Sequence, residues 1–298
     1  MNSPVPSAPH KPRLLILHGE ELPPERGRFD DSRLGEVVHA TAGDLAAKLP
    51  GTDVLLVWDL FSEALISAWS KADSLTWVHA ATTGVDNLMF PELVNSDVVV
   101  TNSRGVFEEP IAEYVLGLIL AFAKDFPRTW EYQRERRWKH RETERISGKR
   151  ALVVGTGPIG RHIARKLAAV GMEVHASGSR ARDGDDDFRT IVESSTAERG
   201  TDGAYTLHRE LPEADHVIVA APLTDATHGL VDARFLDLMK PTARLINVAR
   251  GPIVVQSDLI AALDNEVIAG AALDVFESEP LKAISPLWGL PGSLVSPH

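Results

Sequence analysis

The length and composition of this chain indicate a globular protein with two domains. It has 298 residues, of which 44% are hydrophobic, and this is too long for one typical hydrophobic core. The absence of cysteine excludes disulfides, thiolate metal sites and cysteine nucleophiles, and it suits a reducing cytoplasm. A net charge of −11 argues against a general affinity for nucleic acids. We therefore expect a cytoplasmic protein that uses no metal ion.

No segment of the sequence has the pattern of a signal peptide or a membrane span. Residues 1–12 hold four prolines and lack an apolar core, so we predict a disordered leader. The strongest apolar run, Tyr114–Ala123, has ten residues, which are too few to cross a bilayer. This run therefore predicts a buried helix and no association with membranes.

The first part of the chain alternates between short apolar runs and stretches typical of helices or loops. This alternation predicts a parallel sheet that is covered on both faces. We predict its strands at Arg13–His18, Val54–Trp58, Trp77–Ala81 and Val98–Thr101. Gly105–Phe126 then predicts one long, mostly apolar helix, and residues 127–148 form a polar stretch rich in Trp and Arg.

A second alternating series begins at Arg150. We predict strands at Ala151–Val154, Glu173–Ser177, His216–Ala220, Arg244–Val248 and Ala269–Leu273, and a helix at Ile159–Val170. Residues 183–205 are acidic, rich in Gly, Ser and Thr, and without periodicity, so we predict a solvated loop there. Together the two series predict an α/β protein with two doubly wound parallel-sheet domains, residues 1–104 and 105–298. In such sheets ligands bind at the carboxyl ends of the strands.

A glycine-rich turn between a predicted strand and a predicted helix indicates a dinucleotide site. In a G-x-G-x-x-G motif the first glycine permits the tight turn, and the second lets the backbone approach the pyrophosphate. The third lets helix and strand pack closely, and the helix N-terminus faces the phosphates. A purely structural turn is the alternative, but the flanking strand and helix favour a cofactor site. The residues predicted to form it are Gly155, Gly157, Pro158, Ile159 and Gly160.

The end of the following strand predicts which dinucleotide binds. An NAD site places Asp or Glu there, about 20 residues after the motif begins, to bond the ribose 2′-hydroxyl. Here Gly178 and Ser179 stand at that place, and Arg180 and Arg182 follow. The arginines can pair with a 2′-phosphate, so NADP is favoured over NAD, with exposed surface arginines as the alternative. The acidic residues that follow either fold away or weaken phosphate binding; they are Asp183 and Asp185–Asp187.

From Arg150 onward the sequence resembles the D-isomer-specific 2-hydroxyacid dehydrogenases. The order and spacing of several segments carry this resemblance, which is stronger than the glycine motif alone. The segments are VVGTGPIGRHIARKLAAVGMEV, ADHVIVAAPLTDATHGLV, FLDLMKPTARLINVARGPIV, AGAALDVFESEPL and VSPH. The N-terminal half agrees more loosely, through HAATTGVDNL and VVVTNSRGVFEEPIAEYVLG. The Gly-Ser-Arg segment and Val57-Trp58 are most similar to the glyoxylate/hydroxypyruvate reductase branch.

This resemblance implies a flavodoxin-like substrate domain, a Rossmann cofactor domain and a catalytic group of Arg, Glu and His. The matching residues are Arg250 in NVARG, Glu279 in ESEP and His298 in SPH, and Asp274 in LDVF matches the residue that holds the nicotinamide carboxamide. Glu277 is the nearby alternative to Glu279, but the family motif places the acid directly before the proline. Family members continue past this histidine with a turn and a helix that returns to the first domain. We expect such a segment in the natural protein.

The matched residue types suit hydride transfer between a nicotinamide and a 2-keto acid. Negative charge develops on the keto oxygen, and a protonated His298 can donate to that oxygen as a general acid. A neighbouring carboxylate favours the imidazolium and orients its ring. Arg250 can bind the substrate carboxylate and add fixed positive charge near the oxygen. The sequence thus predicts a reductase that makes a D-2-hydroxy acid with NADPH.

The resemblance also implies contacts from loops that follow other strands. Thr83, Gly84 and Val85 would hold the substrate carboxylate through backbone N–H groups, with a simple strand-to-helix turn as the alternative. Trp58 would line the substrate pocket or belong to the core. Three further residues resemble positions that contact the cofactor, namely Pro222, Thr227 and Val248.

The basic stretch RERRWKHRE, residues 134–142, is a candidate surface for binding another macromolecule. It could bind nucleic acid, but the negative net charge favours a solvated helix face or a dimer arm. In this family the same place usually forms a dimer arm, so we expect a homodimer through Ala112–Trp130 and this arm. Some relatives are transcriptional corepressors, so an NAD(P)-sensing binding protein with little turnover is the alternative function. Phosphite and formate dehydrogenases of the same superfamily are less similar.

Overall fold

A computed structural model of the chain describes residues 10–24, 26–59, 62–193 and 207–298. The chain divides into two compact units, Met1–Val106 and Phe107–His298. Each unit is built on a parallel or mostly parallel β-sheet with helices between its strands. The predicted fold class, with two doubly wound parallel-sheet α/β domains, is therefore confirmed.

The described part of the first unit holds a sheet of short strands, which are β1 (Leu14–Leu17), β2 (Val37–Ala40), β3 (Val54–Val57), β4 (Trp77–Ala80) and β5 (Val99–Asn102). They pair in parallel in the order β2-β1-β3-β4-β5. Strand β1 is buried along its whole length, as is typical of an inner strand of a parallel sheet. Strand β2 was not predicted, because it lies at the sheet edge, is only partly buried at three of four residues and carries no continuous apolar run.

Short helices connect these strands, and they are α1 (Leu45–Lys48), α2 (Ala64–Ala68) and α3 (Pro91–Val94). Their buried side chains pack with those of the strands in one hydrophobic cluster. Its fully buried members include Leu15, Leu45, Leu55, Leu65 and Val78. This core fixes the strand ends from which the loops of the first unit begin.

The second unit holds a larger sheet, with the strands β6 (Arg150–Val154), β7 (Glu173–Gly178), β8 (Arg182–Asp183), β9 (Thr190–Glu193), β10 (His216–Val219), β11 (Arg244–Asn247), β12 (Gly270–Leu273) and β13 (Ser293–Val295). Their order in the described residues is β13-β12-β11-β10-β6-β7-β9-β8, and β8 and β9 alone pair antiparallel. Because β6, β10, β11 and β12 are parallel neighbours, the loops that follow them lie along one edge of the sheet.

The helices described in the second unit are α4 (Glu108–Ala123), α5 (Phe126–Arg134), α6 (Pro158–Ala169), α7 (Leu207–Glu210), α8 (Ala233–Asp237) and α9 (Gln256–Asp264). The prediction of one helix over Gly105–Phe126 was wrong, because α4 ends at Ala123 and Asp125 adopts a left-handed conformation with φ of 49°. Pro127 explains the break: a continued helix would press its ring against the carbonyl of Ala123. The polar stretch predicted to follow therefore begins as helix α5.

The predicted solvated loop over residues 183–205 was wrong in its first part. Strand β9 extends the sheet, and Ile191 pairs with Ala176 of β7 in parallel. Phe188 and Ile191 are each 2% exposed, so isolated apolar residues anchor this acidic segment. Such a short strand leaves no periodic pattern to detect. Residues 194–205 of the predicted loop lie outside the described residues.

The predicted leader lies mostly outside the described residues, which begin at His10. Its last residue, Pro12, accepts a hydrogen bond from Gly35 N at 2.9 Å and so joins the first unit. In the described part of the chain, no helix combines the length and the apolar character that crossing a membrane requires.

Candidate active site

The turn after β6 can be formed only by glycine at two of its positions. Gly155 has φ of 119°, and a Cβ there would lie 2.6 Å from the carbonyl oxygen of Ala220 on the neighbouring strand's loop. A Cβ on Gly160 would lie 2.0 Å from the carbonyl oxygen of Gly155. Strand β6, the turn and helix α6 therefore pack closer than any side chain allows, as the motif predicts.

The start of helix α6 is suited to a phosphate group. Gly157 stands at the N-cap in an extended conformation, no side chain caps the helix, and Pro158 follows as its first residue. A Cβ on Gly157 would meet no atom within 4 Å. The first turn thus offers backbone N–H groups and the positive end of the helix dipole to a ligand. These features fit the pyrophosphate of a dinucleotide.

The end of β7 lacks the carboxylate of an NAD site. Gly178 is buried there, and a Cβ on it would lie 3.1 Å from Thr156 Oγ1 in the glycine turn. Ser179 and Arg180 follow and are exposed, whereas the side chain of Arg182 lies outside what the structure describes. The tight contact between Gly178 and Thr156 explains why a small residue occupies this position.

The acidic residues after β8 are bound to helix α6. Asp185 Oδ2 accepts a hydrogen bond from Arg161 at 2.8 Å, and this guanidinium lowers the pKa of Asp185 to about 2. Asp187 accepts bonds from Arg165 at 2.7 Å and from Arg161 at 2.6 Å, and its pKa is lowered by these arginines. Two acidic charges near the predicted phosphate-binding arginines are therefore compensated within the second unit.

His298 and Glu279 are in direct contact. The Nδ1 atom of His298 donates to Glu279 Oε2 at 2.9 Å. The other carboxylate oxygen of Glu279 accepts from the backbone N–H of Phe276 at 2.8 Å, and His298 N donates to the carbonyl of Asp274 at 2.9 Å. Both ends of the pair are thus tied to the loop after β12, which orients the imidazole ring.

The two acids of the ESEP segment, Glu277 and Glu279, have different hydrogen-bond partners. Glu277 Oε1 accepts from the backbone N–H of Gln256 at 2.8 Å, which is the first residue of α9. Glu277 therefore caps a helix, in agreement with the preference of helix N-termini for acids. Glu279 is the one that contacts the histidine.

Arg250 lies in the loop after β11, close to the loop that carries Glu279. Its carbonyl accepts from Asn247 Nδ2 at 3.1 Å, and its Nη1 donates to the carbonyl of Ala249 at 2.7 Å. The next residue, Gly251, packs so tightly that a Cβ would lie 1.9 Å from the carbonyl carbon of Phe276. The glycine of the NVARG segment therefore brings the arginine and glutamate loops together.

Two functional candidates were missed by sequence reasoning. Asp274 Oδ1 accepts a hydrogen bond from Ser296 Oγ at 2.7 Å, and the hydroxyl of Tyr114 on α4 donates to Ser296 Oγ. Ser296 belongs to the VSPH segment, in which the family resemblance assigns a role to the histidine only, and Tyr114 begins an apolar run that is typical of core packing. No pattern in the sequence joins residues that are 182 positions apart.

The remaining predicted cofactor positions follow β10 and β11. Thr227 Oγ1 donates to the carbonyl of Pro222 at 2.6 Å and accepts from the N–H of Thr224 at 2.8 Å, which closes a tight loop. Val248 continues from β11 and donates its N–H to Val219 O at 3.2 Å. These residues lie along the same sheet edge as the glycine turn.

The predicted substrate contacts of the first unit lie in loops after β3 and β4. Trp58 is half-buried, and its backbone N–H donates to the carbonyl oxygen of Leu17 at 2.8 Å. The carbonyl of Thr83 accepts from Asn102 Nδ2 at 2.6 Å, while Thr83 Oγ1 is buried without a hydrogen-bond partner among the described residues. Gly84 and Val85 follow, both half-buried. The loop is thus held at its main chain.

Comparison with known proteins gives the family. The sequence model described as "D-isomer specific 2-hydroxyacid dehydrogenase, NAD binding domain" matches residues 116–298. Glyoxylate reductase from Pyrococcus furiosus is 32% identical over 265 residues, which are 85% of this chain and 74% of that protein. D-3-phosphoglycerate dehydrogenase from Bacillus subtilis is 32% identical over 247 residues, which are 82% of this chain and 45% of that protein.

A similar solved structure is a D-isomer specific 2-hydroxyacid dehydrogenase from Xanthobacter autotrophicus Py2 in complex with NADPH and MES. It is 30% identical, with a TM-score of 0.74, and the match covers 97% of this chain and 88% of that one. The family match spans more than half of the 298 residues. This protein therefore belongs to the D-isomer specific 2-hydroxyacid dehydrogenases, a family of oxidoreductases, and contains their nicotinamide dinucleotide-binding domain.

Proposed function

We propose that this protein is a cytoplasmic reductase that converts a small 2-keto acid of the glyoxylate or hydroxypyruvate type into a D-2-hydroxy acid with NADPH. The observation that carries the proposal is the bond of 2.9 Å between His298 Nδ1 and Glu279 Oε2, on a loop held by Asp274. An imidazole fixed by a carboxylate is an oriented proton donor. The relatives named glyoxylate reductase support this class of substrate.

The proton comes from His298. Because Nδ1 is bonded to Glu279, the opposite ring nitrogen, Nε2, is the donor to substrate. Bound NADPH would supply the hydride for the keto carbon, and His298 would deliver a proton to the keto oxygen, so that a hydroxyl forms. Glu279 stabilises the positive ring before this transfer and keeps its orientation afterwards. In the oxidative direction the same nitrogen accepts the proton.

Arg250 supplies the positive charge that the reaction requires. Its fork of N–H donors suits the carboxylate of a 2-keto acid and can reach the adjacent keto oxygen. Fixed positive charge beside the oxygen stabilises the negative charge that develops in the transition state. Gly251, the residue after Arg250, packs against the backbone of Phe276. This contact supports the proposal that Arg250 and the His298–Glu279 pair act on the same substrate. In the first unit, backbone N–H groups at Thr83, Gly84 and Val85 are the proposed partners of the substrate carboxylate, and Trp58 is a proposed lining residue.

The preference for NADPH rests on the end of β7. Gly178 occupies the position at which an NAD site has an acid that bonds the ribose 2′-hydroxyl. The exposed Arg180 can pair with a 2′-phosphate. Asp185 and Asp187, which would repel this phosphate, are paired with the arginines of α6. This compensation supports NADPH over NADH.

The direct test is turnover by the purified protein. We expect glyoxylate or hydroxypyruvate to oxidise NADPH, with a higher kcat/KM than NADH gives, followed by absorbance at the nicotinamide band. His298→Ala should lower kcat about 10³-fold while NADPH binding stays within about twofold, because general acid catalysis contributes on this scale. Binding without turnover in the wild type would contradict the proposal and favour a sensing role. Full activity of His298→Ala would refute the assignment of the proton donor.

We also propose a homodimer formed through α4, α5 and the arm that follows. Two large aromatic side chains are exposed there: Trp130 on α5 is 56% exposed, and Trp138 in the arm that follows is fully exposed. Trp is enriched at protein–protein interfaces, so these side chains support an interface at this face. Light scattering should give twice the mass of 32.4 kDa. A monomer at micromolar concentration would refute the dimer.

A further inference from the structure

Three polar side chains form a hydrogen-bonded chain that leads from helix α4 to the loop after β12. The hydroxyl of Tyr114 bonds to Ser296 Oγ, and Ser296 Oγ lies 2.7 Å from Asp274 Oδ1. All three residues belong to the second unit, Phe107–His298. The chain ends on the acid that the family resemblance associates with the nicotinamide carboxamide.

The protons in this chain can point in one direction only. A carboxylate accepts hydrogen bonds and has none to give, so the hydroxyl of Ser296 must donate its proton to Asp274. Ser296 Oγ then accepts the proton of the Tyr114 hydroxyl. Burial raises the pKa of Tyr114, so its phenol stays protonated and acts as a donor over the whole working range of pH. The chain therefore has a fixed polarity that ends on Asp274.

The backbone of Asp274 is held on both sides as well. Its N–H donates to Asn247 O at 3.0 Å, and its carbonyl accepts from His298 N at 2.9 Å. With the backbone fixed, the remaining freedom of this residue is rotation of its side chain. The bond from Ser296 to Oδ1 removes that freedom and presents the other oxygen, Oδ2, away from Ser296. Across the described residues no hydrogen bond to Oδ2 is found.

We propose that Tyr114 and Ser296 are positioning residues, which orient the Asp274 carboxylate so that Oδ2 accepts the N–H of the nicotinamide carboxamide. This inference rests on the proposed function, because it assumes a nicotinamide cofactor in reduction of a keto acid. Ser296 also stands two residues before His298, whose N–H bonds to Asp274. The same support therefore sets the distance between the group that holds the nicotinamide and the group that donates the proton.

The experiment removes single hydroxyl groups and compares the whole cofactor with a fragment that lacks the nicotinamide. Tyr114→Phe and Ser296→Ala are titrated with NADPH and with 2′-phospho-ADP-ribose, and binding is followed by tryptophan fluorescence. We expect the Kd for NADPH to rise about tenfold in both variants, since each loses one bond that orients a charged acceptor. The Kd for the fragment should stay within about twofold, because the fragment does not reach Asp274.

Two further variants separate positioning from a general loss of structure. Ser296→Thr keeps the hydroxyl and should restore NADPH binding to within about threefold of the wild type. Ser293→Ala is a matched control, because Ser293 lies on β13 and its buried Oγ has no partner among the described residues. It should leave both Kd values unchanged.

The outcomes distinguish this inference from the proposed function. If Tyr114→Phe and Ser296→Ala bind NADPH as tightly as the wild type, the positioning role is wrong while the proposed function stands. Equal weakening for NADPH and the fragment also overturns it, since the damage then lies outside the nicotinamide. If the wild-type protein binds NADH more tightly than NADPH, the same variants are titrated with NADH and ADP-ribose. These titrations test the positioning role in the same way, and only the proposed preference for NADPH is then wrong.

Discussion

The two units of this protein present their functional groups in different ways. In the second unit polar side chains bond to one another at the carboxyl ends of parallel strands, as His298 does with Glu279 and Ser296 with Asp274. In the first unit the loop at Thr83 is held through its main chain, and its hydroxyl has no partner among the described residues. We therefore expect side-chain substitutions to have large effects at the His298–Glu279 pair and small effects at the Thr83 loop.

The largest effect expected within this comparison concerns the paired acids of the second unit. Glu279→Gln should lower kcat about 10²-fold, because the amide no longer stabilises the protonated form of His298. Glu277→Gln makes the same chemical change two residues away, at the helix cap of Gln256. It should leave kcat within about twofold and lower the free energy of unfolding by about 1 kcal/mol. Steady-state kinetics and urea unfolding measure the two effects. Equal loss of kcat in both variants would remove the distinction between the acids.

A smaller effect is expected at the end of β7. Arg180→Ala should raise the KM for NADPH about tenfold and leave the KM for NADH within about twofold, since only NADPH carries the 2′-phosphate. Arg189→Ala is the matched control, because this exposed arginine pairs with Glu173 instead. Initial rates with each cofactor give the comparison. An unchanged KM for NADPH in Arg180→Ala would assign the phosphate to another cation.

The smallest effect is expected in the first unit. Thr83→Val removes the hydroxyl and keeps the shape of the side chain, while the backbone N–H groups of the loop remain. The KM for the keto acid should change by less than about threefold, because backbone groups carry the proposed contact. Substrate saturation curves at fixed NADPH measure it. A rise above about tenfold would show that the hydroxyl itself binds substrate, and the contrast between the units would then fail.

The inner strands and the nucleotide turn could be predicted because local contacts restrict which residues can occupy them. A strand covered on both faces must be largely apolar, as in β1 and β12, so it leaves a continuous apolar run in the sequence. A Cβ on Gly155 or on Gly160 would lie only 2.6 or 2.0 Å from a backbone oxygen. These positions therefore require glycine, and they appear in the sequence as a motif. The edge strands β2 and β13 have partly buried residues and no such run.

The rest of the site depends on contacts between distant parts of the chain. Tyr114 and Ser296 meet only after α4 has packed in the second unit, and neither sequence position carries a periodic or motif-based signal for this contact. The pairing of Asp185 and Asp187 with the arginines of α6 is of the same kind, since no local pattern joins these acids to that helix. The break at Asp125 is different: Pro127 gave a local signal for it, and the apolar run outweighed that signal.

Gly251 sets a limit on how the active site can be redesigned. A methyl group at this position would lie 1.9 Å from the carbonyl carbon of Phe276, so the two loops would have to move apart by roughly 1.5 Å to regain normal contact. A directed-evolution library that varies the surroundings of Arg250 for new substrates should therefore recover glycine alone at 251. New specificities would have to arise from other residues near Arg250, while the spacing between the Arg250 and Glu279 loops stays constant.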